Sequence, residues 1–171
     1  MATNRDSFPA TGGCVCGRIR YRIETAPIFT NCCHCTWCQR ETGSSYVLNA
    51  AIEASKVTLL PPHGDDSASP VGPLKVMTPT HSGMGQICFR CPSCFVNLWS
   101  TYGGAPPSIY FIRVGTLDKP SIIRPDVNIF TSTKMPWVKL CPDLPATEER
   151  YKSYSKEAME RISAAIKESK M

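Results

Sequence analysis

The sequence predicts a mainly β fold with one amphipathic helix at its C-terminal end. Several runs alternate between apolar and polar residues, as strands with one buried face do. Fifteen prolines and eleven glycines in 171 residues favour turns and short strands over long helices. Apolar residues recur at helical spacing only after Thr147. A chain of this length fits a single domain that can bury a real core.

Residues 17–24 show the clearest alternation and predict a half-buried strand. Its two faces carry different residues: Ile19, Tyr21 and Ile23 against Arg18, Arg20 and Arg22. The arginine face is better interpreted as a solvated surface than as a site for substrate carboxylates. Further strands are predicted at 45–53, 56–60, 74–80, 96–102, 108–117 and 127–133, and residues 61–73 form a polar, proline-rich loop.

The C-terminal helix is predicted to run for about five turns. Its apolar face would comprise Tyr151, Tyr154, Ala158, Ile162, Ala165 and Ile166. Glu157 and Arg161 are spaced to form an ion pair on the polar face. The chain therefore divides into a flexible leader at 1–11, a β domain at 12–145 and a helix at 146–171 that packs on the domain.

The composition argues against several classes of protein. The formal charge is +5, from 19 basic and 14 acidic residues that do not cluster, so a nucleic-acid partner is not indicated. No apolar run is long enough to span a membrane. The N-terminus lacks the apolar stretch of a secretory signal. We therefore expect a cytoplasmic protein whose ten cysteines are reduced or metal-bound.

Seven of the ten cysteines fall into three short motifs. These motifs are Cys14-x-Cys16, Cys33-x-Cys35-x2-Cys38 and Cys91-x2-Cys94. Zinc takes four ligands in a structural site, and three plus an open position in a catalytic one. The seven cysteines divide naturally into four and three, although the spacing allows this partition without forcing it.

Cys32 and Cys88 extend two of the motifs into C-x2-C-x2-C runs, which iron–sulfur proteins also use. A ferredoxin pattern needs a further cysteine after each run, but Thr42 and Leu98 stand there. Zinc is therefore favoured over an iron–sulfur cluster. Cys32 is expected to point away from the ligands as a small buried residue. His34, between two ligands, is a candidate base or support for the ligands, but is better interpreted as a surface spacer.

Three motifs resemble those of the glutathione-dependent formaldehyde-activating family, which is related to centromere protein V. They are GGCVCGRIRY, CCHCTWCQRETGSSY and CPSCFVNL, and NIFTSTKMPWVKL resembles the family's late aromatic segment. The resemblance extends from about Gly12 to Leu144. The chain departs from the family pattern in having Phe95 where glycine usually follows the last cysteine, and in carrying Cys32 and Cys88.

The resemblance implies a zinc-holding β fold like that of Mss4, with two zinc ions per chain. It assigns Cys14, Cys16, Cys91 and Cys94 to a structural zinc and Cys33, Cys35 and Cys38 to a catalytic zinc. It also implies an activity that joins formaldehyde to glutathione, a reversible carbon–sulfur lyase chemistry. Thr42 and Ser44 directly follow the catalytic loop and are candidates for the substrate pocket or for a simple turn. Phe130 and Trp137 are candidates for a pocket wall, or for the core.

We expect a zinc-dependent carbon–sulfur lyase, or the reverse thiol addition, acting on small thiol adducts such as glutathione conjugates. Soft thiolate ligands favour binding of a substrate sulfur over activation of water. The alternative is a non-catalytic zinc scaffold that binds a protein or nucleic acid. An enzyme needs an open coordination position in the Cys33–Cys38 region, whereas a scaffold needs only closed sites.

Overall fold

The computed structural model describes residues 3–151 and 153–170. Met1, Ala2, Lys152 and Met171, which belong to the predicted leader and C-terminal region, lie outside the described residues. Ten strands in the described chain form two sheets. The smaller sheet is antiparallel and has the order β1-β2-β5, with bounds β1 (Ala10–Gly13), β2 (Arg20–Ile23) and β5 (Val57–Leu60).

The larger sheet has seven strands in the order β10-β3-β4-β9-β8-β7-β6. All neighbouring pairs are antiparallel except β10 and β3, which are parallel. The bounds are β3 (Phe29–Cys33), β4 (Val47–Glu53), β6 (Leu74–Thr78), β7 (Gln86–Arg90), β8 (Asn97–Tyr102), β9 (Ile109–Arg113) and β10 (Val127–Ile129). The predicted mainly β fold is therefore confirmed.

The main core contains buried side chains from both sheets. Tyr21 and Ile23 of β2 are fully buried, and they share this core with Leu98 and Ile112 of the larger sheet. The predicted alternation in β2 is confirmed, because its arginines lie on the opposite face. Arg20 there forms an ion pair with Asp118 at 2.5 Å, which accounts for one of those arginines as a structural group.

Strands β1, β3 and β7 were not predicted. β1 begins inside the predicted leader, and the Asn4 N–H donates to the Ile122 carbonyl, so part of that leader is ordered against the domain. β3 is buried along most of its length, as strands covered on both faces are, and it therefore lacks an alternating pattern. Its cysteines and Asn31 also hide the apolar signal that usually marks such a strand.

A short helix, α1 (Thr36–Thr42), occupies the centre of the CHCTWC motif. The Cys35 side chain caps its first turn by accepting the Cys38 N–H at 3.3 Å. Gly43 ends the helix in the left-handed conformation that favours glycine. The sequence did carry this signal, since Gly43 follows seven residues that are all compatible with a helix.

The second helix, α2 (Lys156–Glu168), is shorter than predicted. Ser155 caps its first turn by accepting the Ala158 N–H at 3.1 Å, so Tyr151 and Tyr154 precede the helix. Ala158 and Ala165 are buried against the larger sheet, as the predicted amphipathic face requires. None of the described helices is long and apolar enough to cross a membrane.

The predicted ion pair between Glu157 and Arg161 is wrong. Glu157 instead pairs with Arg5 at 2.8 Å, and Arg161 pairs with Glu53 of β4 at 2.8 Å. Arg161 also donates to backbone carbonyls that precede β3. Tertiary partners therefore replace the local pair: Arg161 ties the helix to β4, and Glu157 joins it to the N-terminal segment.

Candidate metal centres and active-site cavity

The described residues contain two cysteine clusters that could hold a metal ion. In each cluster all the Sγ atoms lie within 4.8 Å of one another. The four-cysteine group comprises Cys14, Cys16, Cys91 and Cys94, and the three-cysteine group comprises Cys33, Cys35 and Cys38. The structure thus brings together the same two sets that the family resemblance implies.

The four-cysteine group joins the two sheets. Cys14 and Cys16 lie in the turn after β1 of the smaller sheet, and Cys91 and Cys94 lie in the turn between β7 and β8 of the larger one. The Sγ atoms of Cys14 and Cys16 are 3.4 Å apart, and those of Cys16 and Cys91 are 3.7 Å apart. A metal held by these four thiolates would act as a clamp between residues distant in sequence.

Backbone amides around the four-cysteine group point at its sulfur atoms. The Ile19 N–H donates to Cys14 Sγ at 3.3 Å, and the Ser93 N–H donates to Cys91 Sγ at 3.4 Å. Amide donors stabilise the thiolate form, which is the form that binds metal. Four convergent sulfurs with such donors fit a closed tetrahedral zinc site.

Phe95 stands at the family's usual glycine position and has a φ of 58°, in the left-handed region. Its N–H donates to the Cys91 carbonyl at 3.0 Å, which closes the turn that holds Cys91 and Cys94. The ring is mostly exposed, so packing does little to offset the steric cost of this conformation. The turn therefore retains its shape without the residue that suits it best.

We expect Phe95→Gly to raise the free energy of unfolding of the metal-bound protein by about 0.5–1 kcal/mol. Relief of the left-handed backbone gains ~1–2 kcal/mol, and the greater freedom of glycine in the unfolded chain removes part of it. Denaturant unfolding measures the change. Phe95→Ala is the matched control, because alanine also removes the ring but keeps the Cβ. Equal stabilisation by both variants would mean that the exposed ring of Phe95, and not its positive φ, destabilises the protein.

The three-cysteine group lies where β3 meets α1. Cys33 ends β3, Cys35 caps α1 and Cys38 lies in the first turn of that helix. All three are buried. Hydrogen bonding with Cys35 and Cys38 raises the pKa of the Cys33 thiol, whereas hydrogen bonding with Cys33 and Cys38 lowers the pKa of the Cys35 thiol. Three crowded thiols cannot all ionise unless a cation compensates the charge, so this donor set fits a metal ion.

A cavity of about 610 Å³ opens beside the three-cysteine group. Cys33, Cys35 and Cys38 all line it, whereas none of the four-cysteine group does. Its volume is within the usual range for small-molecule sites. A metal bound by the three sulfurs would therefore face space for a substrate, as a catalytic zinc with an open position does.

Glu41 of α1 holds the helix against the larger sheet. Its carboxylate accepts from Arg90 at 2.6 Å, from Arg113 at 2.9 Å and from Asn97 at 3.1 Å. The Glu41 and Arg113 side chains are both almost fully buried. Because Cys38 lies one turn before Glu41, this ion pair fixes the third sulfur relative to the other two. Sequence analysis missed Glu41, since its partners lie about 50 residues or more away.

The network continues from Arg113 to the floor of the cavity. Arg113 donates to Ser100 at 3.2 Å and also to Asn49. Asn49 in turn donates to Asn31 at 3.1 Å, and both carboxamides line the cavity. The polar floor is therefore held in place by the same buried charge pair that positions α1.

We expect Glu41→Ala to destabilise the protein by about 3–5 kcal/mol, because it leaves Arg113 buried without its countercharge. It should also lower metal occupancy at the three-cysteine group. Thermal unfolding and elemental analysis measure the two effects. Glu157→Ala removes an exposed ion pair and is the matched control, for which we expect little change. Similar stability losses in the two variants would contradict this role of Glu41.

Three further residues that the sequence singled out lie outside the two cysteine clusters: Cys32, His34 and Cys88. Cys32 is buried as expected, but the surface role predicted for His34 is wrong, because His34 is only 1% exposed. Its Nε2 lies 3.2 Å from Asn128 Oδ1 and 3.5 Å from Cys32 Sγ, which links β3 to β10. Cys88 is buried in β7 beside Ser100. Cys32 and Cys88 thus lie outside both clusters, and the iron–sulfur pattern is not assembled in the described chain.

Neither Thr42 nor Ser44 is among the described residues that line the cavity. The Thr42 hydroxyl donates to the Cys38 carbonyl at 2.8 Å, and Ser44 is exposed in the turn after α1. Of the two aromatic candidates, Phe130 lines the cavity and Trp137 is 70% exposed. Cavity residues that sequence analysis missed include Asn31, Asn49 and Gln86.

A mainly β domain with two thiolate clusters, one joining the sheets and one facing a cavity, defines a class of candidate metalloprotein. The family model described as glutathione-dependent formaldehyde-activating enzyme matches residues 9–133, which is most of the chain. The chain therefore belongs to this family. No match is found among curated proteins.

Proposed function

We propose that this protein is a zinc-dependent carbon–sulfur lyase, or catalyses the reverse addition of a thiol to an electrophilic carbon. The observation that carries the proposal is that the three-cysteine group lines the cavity while the four-cysteine group does not. A purely structural metal has no need of such a cavity. The family's association with glutathione-dependent formaldehyde activation supports the same class of reaction.

Zinc is the proposed metal at both clusters, because all the grouped donors are thiolates and the described clusters have three and four of them. Zinc held by Cys33, Cys35 and Cys38 would supply Lewis acidity toward a substrate sulfur or oxygen. Cys14, Cys16, Cys91 and Cys94 would hold the structural ion. The proposed stoichiometry is two zinc ions per chain.

The chain's own residues would orient the adduct and shield it. Asn31 and Asn49 present carboxamides at the floor of the cavity, and the Glu41–Arg113 pair holds that floor beside Cys38. In the lyase direction the carbon–sulfur bond breaks and the sulfur keeps the bonding pair. The adduct's hydroxyl loses a proton as the carbonyl forms, and the sulfur takes up a proton. The reaction is redox neutral and needs no further cofactor.

The proposed substrates are small thiol adducts, with glutathione conjugates as the class that the family name suggests. We further propose a cytoplasmic location, because all ten cysteines are free and a reducing compartment preserves them. A non-catalytic zinc scaffold is the competing function, and turnover distinguishes the two.

Elemental analysis of protein purified without chelators should find two zinc ions per chain and little iron. The reason is the division of seven thiolates into a closed set of four and an open set of three. Stoichiometric iron and sulfide would overturn the assignment of zinc, and a single zinc would leave one cluster without a metal role.

The lyase proposal is tested with the zinc protein and a panel of hemithioacetals, by following release of the free thiol. Cobalt-substituted protein supplies a second measurement, because a thiol that reaches an open position changes the ligand-field spectrum. We expect turnover of at least one adduct together with a thiol-dependent spectral change. A spectrum that no added thiol alters, with no turnover, would favour the scaffold.

A further inference from the structure

Several aromatic side chains line the cavity beside the three-cysteine group. Six aromatic side chains line it: Trp37, Tyr102, Phe111, Phe130, Tyr151 and Tyr154. Phe130 holds its place in the left-handed conformation, with a φ of 56°, which is costly for a residue of this kind. Such walls favour a ligand with an aromatic or bulky apolar body over a small polar one.

Outside the three-cysteine group, the described cavity wall has a single permanently charged side chain. Among the described residues that line it, Arg150 is a cation and none is an aspartate or glutamate. Glu149, next in sequence, does not line the cavity, although its carboxylate lies 4.0 Å from the ring of His81, which does. A glutathione conjugate brings two carboxylates and an ammonium group. The ammonium would find no carboxylate on these walls, and burial of an unpaired charge is unfavourable.

One residue that lines the cavity also carries a buried acceptor. Gln86 is only 5% exposed, and its Oε1 has no hydrogen-bond partner among the described residues. Buried polar atoms normally have a partner, so a donor N–H or O–H that reached this atom would be stabilised.

Part of the wall comes from a segment beyond the family match. The family model ends at residue 133, whereas Arg150, Tyr151 and Tyr154 lie after it. Backbone bonds hold this segment against β10, from the Thr147 N–H to the Asn128 carbonyl at 2.9 Å and onward.

Ring contacts fix the two tyrosines. Tyr151 lies 5.2 Å from Phe29 and 4.9 Å from Tyr154, measured between ring centroids. Phe29 also contacts Tyr154 at 5.1 Å, so the three rings form one cluster at the cavity wall. Tyr151 and Tyr154 are therefore packed parts of the site.

We propose that this cavity selects a thiol adduct with an aromatic or bulky apolar body and one negative group, in preference to a glutathione conjugate. Tyr151 and Tyr154 pack against the body, and Arg150 pairs with the negative group. The inference rests on the proposed function for the role of the three-cysteine group. It adds that residues after 133 determine which thiol adduct the cavity accepts.

Binding of three thiols to the zinc-loaded protein tests the proposal by titration calorimetry, without turnover. The probes are 4-(mercaptomethyl)benzoic acid, its neutral analogue 4-methylbenzyl mercaptan, and glutathione. All three carry a thiol, so differences between their dissociation constants reflect contacts made by the rest of each molecule. We expect the aromatic acid to bind about tenfold or more tightly than glutathione, and several-fold more tightly than the neutral analogue.

Two variants test which residues account for the preference for the aromatic acid. Arg150→Gln should abolish the advantage of the acid over the neutral analogue, whereas Arg22→Gln, an exposed arginine on β2, should preserve it. Tyr154→Ala should weaken both aromatic thiols about fivefold and leave glutathione unchanged. Thermal unfolding of each variant verifies that it is folded.

The outcomes separate this inference from the lyase proposal. Tighter binding of glutathione than of either aromatic thiol would overturn the inference, even if glutathione adducts are cleaved. An unchanged preference for the acid in Arg150→Gln would remove Arg150 from the site and overturn its assigned role. Selective binding of the aromatic acid without cleavage of any adduct would support the cavity assignment and overturn the lyase.

Discussion

Cys91→Ser is expected to give a poorly soluble or unfolded chain. Cys91 is fully buried, and its sulfur belongs to the cluster that joins the turn after β1 to the turn between β7 and β8. Structural zinc in small sites contributes about 10–16 kcal/mol at neutral pH, and that free energy is coupled to folding. Since whole domains are stable by only ~5–15 kcal/mol, loss of this clamp can exceed the entire margin.

Soluble yield and thermal midpoint measure this effect. Cys141→Ser is the matched control, because Cys141 is exposed and lies outside both clusters. It should behave as the unaltered protein does. A soluble Cys91→Ser protein with an unchanged midpoint would mean that the four-cysteine group is not a structural metal site.

The sequence predicted most clearly the β2 strand, in which one face is apolar and the other polar. Ile19, Tyr21 and Ile23 are all fully buried, because their alternation reflects a sheet with one side toward the core. The β3 strand offered no such contrast. Its residues are buried almost throughout, and cysteine and asparagine replace the usual branched apolar residues.

Contacts between distant residues account for most of what the sequence did not predict. His34 looked like a spacer because its partner Asn128 is 94 residues away. Glu41 carried no signal in the sequence, because Arg90 and Arg113, which enclose its carboxylate, belong to distant strands. Pattern analysis detects neighbours along the chain, whereas the polar network of this site is built across strands.

The cavity wall shows a different limit of prediction from sequence periodicity. Tyr151 and Tyr154 fit helical spacing, so periodicity alone placed them on α2. The helix begins later because Ser155 supplies an N-cap and Glu157 then favours the first turn electrostatically. An N-cap residue deserves more weight than spacing where the two disagree, and here it moves both tyrosines from a helix face to the wall of a cavity.

Cys35→Ser is expected to leave a folded protein that contains less than its full zinc and has no lyase activity. Cys33, Cys35 and Cys38 lie close in sequence, so their metal restrains far less of the fold than the clamp at Cys91 does. Cys35 also caps α1 through its sulfur, and serine is a favourable cap residue. The substitution therefore preserves the helix and removes a soft ligand, which isolates the role of the metal.

Zinc content, thermal midpoint and turnover of a thiol adduct are measured on the same preparations of Cys35→Ser and Cys141→Ser. We expect one zinc per chain and a modest loss of stability in Cys35→Ser, against two zinc ions and full activity in Cys141→Ser. Full activity in Cys35→Ser would show that the three-cysteine group is not the reaction centre. Unfolding as severe as that of Cys91→Ser would instead indicate that this group is a structural metal site, whose binding free energy supports the fold.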